Sequence, residues 1–73
     1  MSIRVEVEHL RKLFAFEHLP PHLQAVSRPF AELAEQIAAG PLNLETPAAL
    51  RKLREAKDCA VTAVVIGEVA DPA

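Results

Sequence analysis

Residues 46–69 contain two apolar patterns, and a single long helix would place each pattern along an edge of its own. Spacings of three and four residues keep side chains on one helical face. One edge of this helix holds the larger aliphatic residues Leu50, Leu53, Val61 and Val64. The other edge holds the small residues Ala56, Ala60, Ala63, Gly67 and Ala70. Small residues on a shared face let a second backbone come close, so the pattern predicts a helix that packs through a small-residue seam.

A second amphipathic helix is predicted over residues 21–39. Its apolar stripe follows the same spacings and consists of Leu23, Val26, Phe30, Leu33 and Ile37. Pro21 suits the first helical position, where no backbone N–H is needed, and Gly40 followed by a proline is a typical stop signal. Pro29 falls inside the stripe and either kinks the helix or breaks it, with Ser27 capping a new start. The unbroken stripe favours one kinked helix.

The two helices are joined by a short loop, so they should lie antiparallel as a hairpin. Thr46 is the expected N-cap of the second helix and Pro47 its first residue. Ahead of the hairpin, residues 1–15 form a short N-terminal arm, either a strand or a short helix packed on a neighbour. The strand alternative comes from apolar residues that alternate with charged ones, namely Ile3, Val5 and Val7. The predicted fold class is therefore all-α, with the whole chain as a single domain.

The chain is too small and too poor in bulky side chains to bury its apolar surface alone. It has 73 residues, of which 51% are hydrophobic but only three are phenylalanines, the sole aromatic type. Scaffolds of this size usually need disulfides, a metal or oligomerisation. Cys59 is the only cysteine, so no internal disulfide can form, and no set of residues has a convincing metal-ligand spacing. Assembly into a homo-oligomer is therefore expected.

Charge and hydropathy argue against several partners. The formal net charge of −2 is unfavourable for binding a DNA or RNA polymer, because such binding needs a basic surface. The N-terminus lacks the apolar core of a secretory signal. No run reaches the roughly 18 apolar residues of a membrane span. We therefore expect a cytoplasmic protein with no membrane partner.

The residue pattern does not indicate catalysis, a metal site or a cofactor. His18 and His22 have a metal-compatible spacing, but two prolines separate them and no further ligand completes a set of four. Neither serine has a hydrolase context, and there is no glycine-rich phosphate loop. Glu32 and Glu35 lie three residues apart on the first helix, which is more typical of a solvated face than of an acid–base pair. We expect a protein that is not an enzyme.

The residue types that remain are those of a nucleotide-binding site. Phe16 lies at the bend before the first long helix, and aromatic rings stack on bases of any identity. Basic residues hold phosphates by charge-assisted hydrogen bonds, and the candidates are Arg28, Arg51, Arg54 and Lys57. A plainer interpretation stands beside each, with Phe16 as a core residue and the basic cluster of the second helix as a solvated face.

Three segments resemble the Acb/Tad hairpin domain, a family that includes the anti-CBASS and anti-Thoeris sponge proteins of phages. They are residues 16–24 (FEHLPPHLQ), residues 27–34 (SRPFAELA) and residues 49–58 (ALRKLREAKD). The resemblance extends over residues 16–65. It implies a non-enzymatic phage protein built from helical hairpins that assemble into oligomers such as hexamers. Such proteins bind cyclic nucleotide signals of bacterial immunity between protomers and hold them without cleavage.

The resemblance also implies which residues contact the ligand. Phe16 matches the aromatic residue that stacks on a base, although it lacks a tyrosine hydroxyl. Arg28 lies near the basic position of the first helix, and Arg51 and Lys57 match an Arg-x-Leu-x-x-Ala-Lys pattern in the second. No basic residue follows Lys57, so a second site that uses a later arginine is not expected. The full set of expected ligand contacts is Phe16, His18, Arg28, Arg51, Arg54 and Lys57.

The expected function is sequestration of a cyclic oligonucleotide, such as the cyclic dinucleotide cGAMP, which would block CBASS-type signalling in the host bacterial cytoplasm. One alternative is a sponge for the ADP-ribose-derived signals of Thoeris systems, which only a ligand panel separates from the first. The other alternative is a helical module that binds a protein through the small-residue seam and takes no small molecule.

Overall fold

The computed structural model describes residues 2–69, which form three α-helices and no strand. Helix α1 spans Ile3–Lys12, α2 spans Pro21–Ala39 and α3 spans Glu45–Val69. The all-helical class is therefore confirmed for this part of the chain. Ala70, the last member of the predicted seam, lies outside the described residues. None of the three helices combines the length and the apolar character that a bilayer crossing requires.

The strand alternative for the N-terminal segment is wrong, because its apolar residues fit a helical face better than a period of two. Ile3, Val7, Leu10 and Phe14 follow spacings of four, three and four, which places them on one side of α1 and its C-terminal extension. Val7, Leu10 and Phe14 are buried, and Ile3 packs against them. Val5, which the strand pattern grouped with its apolar neighbours, is exposed.

Helix α1 is capped at both ends and packs on helices of its own chain. The Ser2 hydroxyl accepts a hydrogen bond from the backbone N–H of Val5 at 3.1 Å, so Ser2 is the N-cap. At the other end, the backbone N–H of Leu13 donates to the carbonyl oxygen of Leu10 at 3.0 Å. Contacts run from α1 to both α2 and α3. The segment is thus a third packed helix, and it needs no neighbouring molecule to cover it.

Helix α2 continues through its internal proline. Pro21 is the first helical residue, and Pro29 lies inside the helix. The alternative of a break at Pro29 is wrong, and Ser27 does not cap a new helix but lies within α2 with its side chain buried. Pro29 has no N–H donor, so one hydrogen bond of the helix is missing there, while Phe30 and Ile37 of the stripe pack against the core.

Helix α3 begins at Glu45, one residue before the predicted range and two before Pro47, the expected first helical residue. Thr46 lies inside the first turn, so it is not the N-cap that the sequence suggested. Its hydroxyl instead ties the preceding loop together: it donates to the carbonyl oxygen of Pro41 at 2.6 Å and accepts from the backbone N–H of Asn43 at 3.1 Å. The Asn43 side-chain oxygen accepts from the N–H of Glu45 at 2.9 Å. The loop is therefore held by the side chains of Asn43 and Thr46, and Pro41 contributes only its backbone carbonyl oxygen.

Helices α2 and α3 run in opposite directions, and α1 covers only one end of the pair. His22 in the first turn of α2 lies 2.5 Å from the carboxylate of Glu68 near the end of α3. The residues of the buried core form one cluster that includes α1, namely Val7, Leu10, Phe14, Ala34 and Leu50. No residue of α3 between positions 51 and 68 is buried. The molecule thus has a closed end, where α1 packs, and an open end of two helices.

This division makes the molecule elongated. Its principal extents are 45 × 23 × 18 Å and its radius of gyration is 13.9 Å. A compact domain of this length would have a radius of gyration of roughly 11 Å. The excess reflects the long α3, whose C-terminal half extends beyond the part that α1 covers.

Candidate functional site

Phe16 lies in the bend between α1 and α2, and the bend is tied to the first turns of α2. The side-chain amide of Gln24 donates to the carbonyl oxygens of Leu19 at 2.7 Å and of Glu17 at 3.2 Å. The Phe16 backbone N–H donates to the carboxylate of Glu17 at 3.1 Å. Pro20 holds the chain extended where α2 begins. The bend that carries Phe16 is therefore held by hydrogen bonds from Gln24 of α2.

Arg28 reaches back from the second turn of α2 to this ring. Its guanidinium carbon lies 5.3 Å from the centre of the Phe16 ring, within the roughly 6 Å at which a cation is attracted to an aromatic face. Phe16 is half-buried and Arg28 is exposed. Two of the expected ligand contacts are thus side by side in one protomer, an aromatic platform and a cation that caps it.

A cleft of about 320 Å³ opens beside Phe16, between the end of α1 and the middle of α2. This volume lies at the small end of the range of ligand pockets. Its apolar wall comes from the rings and methyl groups of Phe14, Phe16, Ala15 and Ala31. Charged side chains form its rim, namely Arg11, Lys12, Glu17, Glu32 and Glu35. The cleft therefore suits a flat, partly apolar group with polar edges.

Among the charged side chains of the rim, Arg11 is already held in ion pairs. Arg11 lies 2.8 Å from Glu35 and 3.1 Å from Glu8. The hydrogen bond from Arg11 to Glu35, followed by the charges of Glu35 and Glu8, raises the pKa of the guanidinium above its ordinary value. Arg11 therefore stays charged and occupied, and it is a structural link between α1 and α2.

The other expected contacts lie elsewhere. His18 is exposed in the bend and Arg54 is exposed on α3. Arg51 pairs with Glu6 of α1. The Lys57 ammonium lies 2.8 Å from Asp58, and only 14% of the Lys57 side chain is exposed. No residue of α3 lines the cleft, so one protomer brings Phe16 and Arg28 together but leaves Arg51, Arg54 and Lys57 apart from them.

The histidines are also separated. His22 is directed to Glu68 at the open end of the helix pair. Across residues 2–69 no group of three or more histidine, cysteine or acidic side chains is arranged to hold a metal ion.

The sequence patterns do not predict the cleft, although the spacing of charged residues on α2 indicates one of its walls. Arg28, Glu32 and Glu35 follow spacings of four and three on α2, so they share one face of that helix. The other wall depends on Phe14, which could be placed only after the N-terminal segment was known to be helical.

Comparison with known proteins adds no relative: no protein-family model, no curated protein and no solved structure matches the chain.

Proposed function

We propose that the chain is a non-enzymatic phage anti-defence protein that binds cyclic oligonucleotide immune signals, such as cyclic dinucleotides, and withholds them intact in the host bacterial cytoplasm. In this proposal it belongs with the Acb/Tad hairpin sponges that its segments resemble. The ligand's base enters the cleft and stacks on Phe16, and its phosphate meets basic side chains.

The observation that carries the proposal is the pairing of an aromatic ring with a guanidinium at the edge of a cleft. Stacking of one base on an aromatic side chain contributes about 1–3 kcal/mol and tolerates any base. Arg28 lies over the same ring, so it offers a fork of N–H donors to the phosphate of a nucleotide whose base stacks on Phe16. The Phe16 ring is thus already held in place before the ligand arrives.

We further propose that a second copy of the chain completes the site, in a homo-oligomer that has a helical hairpin as its unit. The open end offers apolar side chains on α3, with Val65 and Ile66 exposed. On the small-residue seam, Ala56, Ala63 and Gly67 are exposed as well, which permits close approach of another helix. In such an assembly the basic residues of α3 in one protomer approach the Phe16 cleft of another.

The test is thermal unfolding of the purified full-length chain with cyclic dinucleotides, cyclic trinucleotides and cyclic ADP-ribose isomers, followed by recovery of each ligand. A ligand that binds only the native state stabilises it by about 2.7 kcal/mol at a hundredfold excess over the Kd. We expect a clear rise in Tm with at least one cyclic dinucleotide, which is recovered intact. Cleavage of the recovered ligand would contradict sequestration.

Two substitutions identify the site within the same assay. Phe16→Ala should abolish the shift, whereas Phe16→Tyr retains a ring and should preserve it. Arg28→Ala should weaken binding by an amount that shrinks at high salt, because exposed charge interactions are screened. Arg4→Ala, which removes an exposed cation from α1, is the matched control and should leave binding unchanged. Full binding by Phe16→Ala would show that the site lies elsewhere.

Two alternatives make different predictions for the same panel. A shift only with cyclic ADP-ribose isomers would identify a sponge for Thoeris signals. The exposed small-residue seam favours the other alternative, a protein-interaction module. In that case no nucleotide raises the Tm, and the chain instead captures a host protein.

A further inference from the structure

One carboxylate on the rim of the cleft has no partner in the described part of the chain. Three glutamates line the cleft. Glu35 is held by Arg11 at 2.8 Å, and Glu17 accepts from the backbone N–H of Phe16 at 3.1 Å. Glu32 takes part in no ion pair or side-chain hydrogen bond among residues 2–69, and it is exposed. It is the acidic group on this rim that remains available to a ligand.

The position of Glu32 relative to Phe16 follows from α2. Arg28 and Glu32 are four residues apart, so they lie one helical turn apart on the same face. Arg28 is placed over the Phe16 ring, and Glu32 and Phe16 line the same cleft. A flat group stacked on the ring therefore turns its own face to Phe16 and its own edge to Glu32.

A carboxylate accepts hydrogen bonds and donates none, which makes it selective among bases. Guanine presents two neighbouring donors on one edge, the N1–H and the N2 amino group, and a carboxylate binds both at once. Adenine offers an amino group beside a ring nitrogen that is an acceptor, and the two oxygens of uracil flank its single N–H. An acceptor that faces another acceptor loses its hydration without a new hydrogen bond. Glu32 thus matches guanine better than it matches adenine or uracil.

We infer that the Phe16 cleft selects a guanine base, with Glu32 accepting hydrogen bonds from its N1–H and N2 amino group. This inference rests on the proposed nucleotide-binding function and adds the identity of the base. The three glutamates also disfavour a phosphate beside them. The phosphates therefore lie towards the exposed cations, Lys12 on the rim and Arg28 over the Phe16 ring.

The test compares two probes that differ only in their bases, cyclic di-GMP and cyclic di-AMP, by isothermal titration calorimetry on the full-length chain. We expect the wild type to bind cyclic di-GMP about ten- to a hundredfold more tightly, the discrimination that a good bidentate contact to a base supplies. Glu32→Gln keeps the shape of the side chain but removes its charge and one acceptor. It should weaken cyclic di-GMP binding about tenfold, and it should not weaken cyclic di-AMP binding, because the new NH2 group is a donor for the ring-nitrogen acceptor of adenine.

Glu55→Gln is the matched control, because it makes the same change of net charge at an exposed position of α3 that does not line the cleft. It should retain the wild-type preference. Equal affinities of the wild type for the two probes, or an unchanged preference in Glu32→Gln, would overturn the guanine assignment while nucleotide binding stands. Failure of the wild type to bind any nucleotide would overturn the proposed function and the guanine assignment with it.

Discussion

Ser27 is a polar residue whose side chain is buried within α2. Its side chain is only 1% exposed, and its hydroxyl oxygen has no hydrogen-bond partner among the described residues. A buried hydroxyl without a partner loses its hydration and gains nothing in return. Ser2 is the opposite case, since its hydroxyl accepts from the N–H of Val5 at the start of α1. The same residue type is therefore unfavourable at one position and stabilising at the other.

Replacing each serine by alanine should shift stability in opposite directions. Ser27→Ala removes the unpartnered hydroxyl and improves helix propensity, so we expect the free energy of unfolding to rise by about 1 kcal/mol. Ser2→Ala removes an N-cap and should lower it by about 1 kcal/mol. Each change corresponds to about 4–8 °C in Tm for a domain of this size. A destabilised Ser27→Ala variant would show that the hydroxyl has a partner after all.

At the scale of the elements, α1 decides whether the closed end has a core. It contributes Val7 and Leu10 directly, and Phe14 follows just beyond its end. Arg11 links it to α2 and Glu6 links it to α3. Exposed ion pairs of this kind contribute little by themselves, so the apolar face of α1 provides most of the free energy that holds it in place.

Truncation of a buried α1 side chain should therefore cost far more than truncation of an exposed one. Leu10→Ala leaves a cavity among α1, α2 and α3, and we expect the free energy of unfolding to fall by about 2–5 kcal/mol. Val5→Ala, on the opposite face of the same helix, should change it by less than about 0.5 kcal/mol. Chemical denaturation of both variants measures the difference. Similar losses for the two would mean that α1 does not pack as described.

An element could be predicted from the sequence where its apolar residues fit only one period, and it could not where they fit both the helical and the strand period. Residues 21–39 follow spacings of three and four without exception, and the structure places α2 on the same residues despite Pro29. The N-terminal segment fits two periods over its first residues, and only Leu10 and Phe14 distinguish them. A short amphipathic helix with β-branched residues at alternate positions resembles a strand until its last turn is included.

The candidate site was predictable only as residue types. Phe16 and Arg28 could be expected as an aromatic residue before the first predicted helix and a basic residue within it, but the sequence did not show that they converge. The cleft beside them could not be expected, since it forms where α1 meets α2 and no local pattern encodes that contact. Glu32 was assigned to a solvated face for the same reason.

At the scale of the whole molecule, the two ends differ in how much they bury. The closed end holds all the buried apolar residues of the described chain, while Ile66 at the open end is 54% exposed. In the proposed oligomer this open end is the surface that a second copy covers. Leu44 in the loop at the closed end is 80% exposed and lies outside that surface.

A charge introduced at the open end should therefore separate the protomers. We expect light scattering to give a multiple of the monomer mass for the wild type and a smaller mass for Ile66→Glu. Leu44→Glu introduces the same charge at the closed end and should leave the mass unchanged. Helical content measured by circular dichroism should be retained in both variants. A wild type that is already monomeric at micromolar concentration would contradict the proposed assembly.

The distance in sequence between α1 and its partners in α3 has a consequence for synthesis. Glu6 pairs with Arg51, which follows it by 45 residues. At about 5–20 residues per second, translation needs about 2–9 s to deliver that partner. A helix of ten residues is too short to persist alone in water. Helix α1 therefore becomes helical later than it is made, and the core at the closed end forms only when its partners in α3 have also been made.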